Sequence, residues 1–60
     1  MSDIGAWLES LGLGEYIEAF ADNAVELDVV AELSDGDLGK IGVRLGHRKK
    51  LLKAIAAFED

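Results

Sequence analysis

Ile4, Trp7, Leu8 and Leu11 recur at i, i+3, i+4 and i+7, the spacing that lines one apolar face of an α-helix. Ser2 or Asp3 is placed to cap this helix and Gly12 to stop it. Leu13, Tyr16, Ile17 and Phe20 match the same template, and "ADN" ends that second helix at Asn23. Two short matches do not establish an internal repeat. "VELDVVAEL" is ambiguous, because its valines suit a strand as well as a short helix. Its helical surroundings point to a one- to two-turn helix near Asp28 to Leu33. Ser34 and Asp37 match a capping box that opens a short helix carrying Leu38 and Ile41, with Gly42 as its stop. Leu51, Leu52, Ile55 and Phe58 then form the apolar face of a last helix from about Leu45 to Phe58. The pattern predicts an all-α fold, a compact five-helix bundle with short connections in one domain spanning 1–60.

Composition narrows the class. Half of the 60 residues are hydrophobic, enough for a core and contrary to disorder. A chain of this size buries only about 60% of its unfolded surface, so its stability is expected to be marginal. Cysteine is absent, which removes disulfides and cysteine zinc sites and suits a reducing compartment. No apolar run approaches the roughly 20 residues of a membrane span. The start "MSDIGAWLES" lacks the basic segment of a signal peptide. The expectation is a soluble, cytoplasmic module without a membrane partner.

Charge adds the first functional hint. The net charge of −6 opposes general binding to nucleic acid or anionic membranes. Its distribution is segregated. Asp3, Glu9, Glu15, Glu18, Asp22, Glu26, Asp28, Glu32, Asp35 and Asp37 precede every basic residue. Lys40, Arg44, Arg48, Lys49, Lys50 and Lys53 follow without interruption, and Glu59 and Asp60 close the chain.

The basic block falls where a helix tolerates it least. Arg44, His47, Arg48, Lys49 and Lys50 crowd the first turns of the last helix, where the macrodipole makes each exposed cation cost about 0.3–1 kcal/mol. The predicted N-cap is Arg44, although Ser, Thr, Asp or Asn would satisfy the first amides better. An uncapped helix start surrounded by cations is an anion-binding surface, and broken local rules often mark function.

Three blocks, "WLESLGLGEYIEAFADN", "LSDGDLGKIGV" and "LGHRKKLLKAI", together resemble the sterile alpha motif, or SAM, domain. The resemblance runs from Trp7 to Phe58, with the blocks in order and at family-like spacing. The "GHRKK" version is similar to SAM domains at the N-termini of bacterial nucleotide-cyclase proteins. The resemblance implies a five-helix bundle with a protein-interaction role. Many SAM domains associate head to tail through an end-helix surface at the start of the fifth helix and a mid-loop surface around the second to fourth helices. Carried onto this chain, the end-helix surface comprises Arg44, Leu45, Gly46, His47, Arg48, Lys49, Lys50 and Lys53. The mid-loop surface comprises Asp22, Glu26, Leu27, Asp28, Glu32, Asp35 and Asp37. Arg44 at the cap departs from the family pattern. So does Leu27, where glycine or a small polar residue is common, and it offers the mid-loop surface an apolar contact.

Catalytic readings are weaker than structural ones. Trp7, Tyr16, Phe20 and Phe58 could stack bases, but their helical spacing assigns them to the core. His47, the single histidine, has no second imidazole or thiol with which to hold a metal, and reads as a surface residue at a helix start. Ser34 is explained by its cap. Glu26 with Asp28, or Asp35 with Asp37, could do acid–base work only in a pocket that so short a chain has little room to build. The sequence therefore predicts no enzyme, no metal site, no cofactor and no small-molecule substrate. The predicted function is self-association in which a basic end-helix surface docks on the acidic mid-loop surface of another copy or of another SAM-like domain. Such a heterologous contact extends into a helical polymer when its rotation does not close. The alternatives are a monomeric adaptor recruiting a different acidic protein and, further off, a nucleic-acid or phospholipid binder, which the overall acidity disfavours.

Overall fold

The structure is a computed structural model and describes residues 3–58. Helix α1 spans Ile4–Ser10, and a 3-10 turn over Gly14–Tyr16 leads directly into α2, Ile17–Asp22. Helices α3, α4 and α5 span Leu27–Val30, Asp35–Ile41 and Leu45–Ala57. Among the described residues there is no strand, so the valine-rich segment resolves as helix. It begins earlier and ends sooner than its pattern suggested. The five-helix, all-α expectation holds.

The boundaries follow local chemistry to different degrees. Helix α4 has its capping box: Asp37 N–H donates to Ser34 Oγ at 3.2 Å, and Ser34 N–H donates to Asp37 Oδ2 at 3.0 Å. Gly42 ends that helix at φ 107, a conformation that an L side chain rarely adopts. Asp3 occupies the N-cap position of α1 but makes no side-chain capping bond, and Ser2 lies outside the described residues. Asn23 is the C-cap of α2, with its Nδ2 donating to the Ala19 carbonyl at 2.8 Å. The left-handed residue after it is Ala24, at φ 55. No glycine announces that turn in the sequence.

Leu8, Leu13, Phe20, Val30, Leu38 and Leu51 are fully buried and come from every helix and the connection between α1 and α2. Tyr16 and Ile55 are buried beside them, and Trp7, Leu27 and Ile41 pack partly against the cluster. Phe58 corrects the expectation that it shares the core with Trp7. It is 47% exposed, and its ring lies against Trp7 with centroids 5.4 Å apart and planes tilted by 34°. Helical spacing identifies the face on which Phe58 lies. It does not say how much of that face the neighbouring elements cover, and coverage on α5 is complete at Leu51 and Ile55 only.

Candidate interaction surface

The first turn of α5 starts from Arg44, which is extended at φ −68 and ψ 152 and places no side-chain oxygen on the helix amides. Arg44, Leu45, Gly46, Lys49, Lys50 and Lys53 are all exposed. Leu45, Lys49 and Lys53 are spaced four apart, so they form one row along the helix. Leu45 is 58% exposed, an apolar side chain at the head of a basic row. This face combines an uncapped helix end with cations and one apolar contact.

The other two residues assigned to this surface are held within the chain. Arg48 Nε donates to Asp35 Oδ1 at 3.1 Å, and its Nη1 donates to the Val43 carbonyl at 2.9 Å. His47 is half-buried, with Nδ1 2.6 Å from the Tyr16 hydroxyl and 3.9 Å from Glu15 Oε1. The sequence reading of His47 as a plain surface residue missed this partner. Tyr16 precedes it by 31 positions, a separation that leaves no local signal.

The acidic residues divide in the same way. Asp35 is bonded to Arg48, and Asp37 closes the α4 capping box. The Ser34 backbone N–H, then the Ser34 hydroxyl and the Lys40 charge, hold the Asp37 carboxyl below its usual range. Asp22, Glu26, Asp28 and Glu32 are exposed. Among the described residues, no ion pair within the chain holds these four, nor Arg44, Lys49, Lys50 or Lys53. Leu27 is half-buried against the core, while its neighbour Val29 is 39% exposed. Val29 is therefore the outward apolar side chain of α3. The mixed helix–strand pattern of this segment obscured which valine points inward.

The arrangement supplies charge and apolar contact. Among the described residues, no group of three His, Cys, Asp or Glu side chains is gathered around a common metal position. The Ser34 hydroxyl, the one nucleophile weighed from the sequence, is engaged by the Asp37 amide.

A family model described as SAM domain (Sterile alpha motif) matches residues 1–59. Human SH3 and multiple ankyrin repeat domains protein 2 is 42% identical over 59 residues, which cover 97% of this chain and 3% of that protein. Human Ephrin type-A receptor 5 is 39% identical over 54 residues, covering 87% of this chain and 5% of the receptor. The Drosophila melanogaster Protein bicaudal C is 44% identical over 54 residues, covering 88% of this chain and 6% of its own length. The chain thus spans a small fraction of each of these relatives, and all three come from animals.

Proposed function

Because the chain belongs to the sterile alpha motif family, we propose that it is a protein-interaction module that associates head to tail with further copies of itself. The basic start of α5 is one half of the contact and the acidic segment around α3 is the other. One observation carries the reading. Arg44, Lys49, Lys50 and Lys53 on one side, and Asp22, Glu26, Asp28 and Glu32 on the other, are exposed and have no ion-pair partner among the described residues. Each set is thus available to the other in a second molecule. Leu45 and Val29 are the apolar anchors, because complementary charge governs orientation and on-rate more than affinity.

This assignment is narrower than the family pattern carried onto the sequence. Asp35, Asp37 and Arg48 serve the internal structure, so they border the contact without driving it. We further propose kinship with bacterial nucleotide-cyclase proteins, which the "GHRKK" block supports, and a cytoplasmic location, which the absence of cysteine and of a membrane-length apolar run supports.

Sedimentation velocity across a concentration series tests the reading. The expected result is a sedimentation coefficient that rises with concentration at tens of millimolar salt and falls back towards the monomer near 1 M. Exposed charge pairs are screened over about 8 Å at physiological ionic strength and about 3 Å at 1 M. A monomer at every concentration in low salt would overturn self-association in favour of an adaptor for another acidic protein.

A further inference from the structure

The first turn of α5 is tied down from outside its own helix. In a capping box the side chain at N3 accepts from the backbone N–H of the N-cap residue. Here the N-cap is Arg44, so N3 is His47. A hydroxyl from the turn before α2 stands between them. Arg44 N–H donates to Tyr16 Oη at 3.3 Å, and Tyr16 Oη lies 2.6 Å from His47 Nδ1. With the imidazole neutral and its hydrogen on Nε2, the Tyr16 hydroxyl accepts from Arg44 and donates to His47. One hydroxyl bridges the N-cap amide and the N3 side chain, while the Arg44 side chain makes no capping bond.

A proton on Nδ1 reverses the second bond. The imidazolium then donates to Tyr16 Oη, and the hydroxyl hydrogen must turn away. The Glu15 carboxylate, 3.9 Å from Nδ1, becomes an ion-pair partner for the ring. No heavy atom has to move far for this exchange. Its lasting result is one more positive charge on the surface that already carries Arg44, Lys49 and Lys50.

We propose that His47 is a proton-responsive control of this surface, so that docking of an acidic face takes up a proton at the ring and acidification strengthens docking. The inference rests on the head-to-tail reading above. Reciprocity between the two binding events is required by linkage: if the acidic face binds the charged ring better, the proton must in turn favour the acidic face. Imidazole is the side chain that ordinarily changes charge between about pH 5 and 8, a range in which carboxylates as a class keep theirs. The groups against the ring are Tyr16 and Glu15 from the turn before α2, and the cations near it in sequence include Arg44 and Lys50, three positions to either side, and Arg48, one position on. Arg48 is already engaged by Asp35 of α4.

The test measures self-association of the wild type and of His47→Asn by sedimentation between pH 7.5 and 5.5 at constant low salt. Asparagine can accept from Tyr16 and cannot acquire charge. The wild type should tighten roughly fivefold as the pH falls, the effect of one added charge pair at a partly exposed site, and His47→Asn should stay flat. The same dependence on pH in both proteins overturns the inference and leaves head-to-tail association standing. Absence of association at any pH overturns both. Should His47→Asn fail to fold, proton NMR of the single histidine in the wild type replaces it. The ring's titration midpoint must then lie higher in concentrated, associated protein than in dilute monomer. Equal midpoints overturn the inference.

Discussion

Arg48 and Asp35 are bonded to each other within one molecule, at 3.1 Å from Nε to Oδ1. Sequence reasoning placed them on opposite docking surfaces, one basic and one acidic. The guanidinium also reaches the Val43 carbonyl, so Arg48 ties the start of α4 and the α4–α5 connection to the first turns of α5. Its side chain is 22% exposed, against 56% for Asp35.

Arg48→Ala should therefore act on stability. Removing it strips a part-buried carbonyl of its charged donor, at a cost of about 1–2 kcal/mol. Asp35→Ala should cost less, about 0–1 kcal/mol, because the ion pair itself is open to water. Urea denaturation of the two variants measures the difference. An Arg48→Ala protein with unchanged midpoint and abolished association would make Arg48 an interface residue after all.

The Tyr16 hydroxyl offers a second test of long-range bonding. Tyr16→Phe keeps the buried ring and removes the oxygen that serves Arg44 N–H and His47 Nδ1. A loss of about 1–2 kcal/mol is expected from the two unmet partners, softened by the water that reaches them. The double variant Tyr16→Phe with His47→Asn should lose less than the sum of its single changes, since both act on one bond. Additive losses would show that the hydroxyl and the ring act independently.

These tests also mark where sequence legibility ends. Helical spacing identified α1, α2 and α5, and the Ser34–Asp37 pair fixed the start of α4, because each signal is local to a turn or a helix face. Relations between elements leave no such trace. Nothing near Ala24 announces its left-handed turn, and nothing within α5 tells that Phe58 is left 47% exposed beside Trp7. Leu27 and Val29 both lie in a pattern that fits either period, so their inward and outward roles emerge only with the short helix in place. The segregation of charge was plain in the sequence. Which charges are engaged within the chain was not, since Arg48 and Asp35 meet through tertiary structure.

Acid should loosen α4 before it touches the core. The Asp37 carboxyl sits below its usual range because the Ser34 backbone N–H and hydroxyl favour its charged form. A lowered carboxylate adds stability that is present above its unfolded range and is lost as the pH falls through the lowered value. Asp37→Ala should thus lower the melting temperature at pH 7, and the gap to wild type should close below about pH 4. A gap that persists undiminished at pH 2 would mean that the charge of Asp37 is not the source. Ser34→Ala, which removes the other half of the box, should cost about 0.5–2 kcal/mol at neutral pH.

Phe20 and Phe58 share an apolar role in the pattern and differ in burial, at 0% and 47% exposure. Phe20→Ala should cost about 3–5 kcal/mol, enough to unfold a domain of this size. Phe58→Ala should cost roughly 1 kcal/mol, the loss of one ring contact and part of its buried area. Thermal denaturation followed by circular dichroism separates the two, and equal losses would contradict the half-exposed position of Phe58.

The head-to-tail assignment makes its sharpest prediction when its two halves are broken in different molecules. Lys49→Glu with Lys50→Glu reverses the exposed start of α5 without touching Leu51 or Ile55, which face the core. Asp28→Lys with Glu32→Lys reverses the acidic segment, again at exposed positions. Like charges set across an interface cost several kcal/mol, enough to leave each variant monomeric by itself. Each still carries one intact surface, and the intact surfaces complement each other. An equimolar mixture should form a heterodimer through the intact halves, and because the other pair is reversed in sign on both sides and so is again opposite in charge, the assembly can grow further. Adding Leu45→Ser to the Asp28→Lys, Glu32→Lys variant should weaken that heterodimer, since its intact half is then the start of α5 without its apolar anchor. A symmetric contact, in which one patch meets its own copy, would be repulsive in one variant and untouched in the other, and mixing would rescue nothing. Two folded variants that stay monomeric together at high concentration would show that these residues do not form the two halves of one contact.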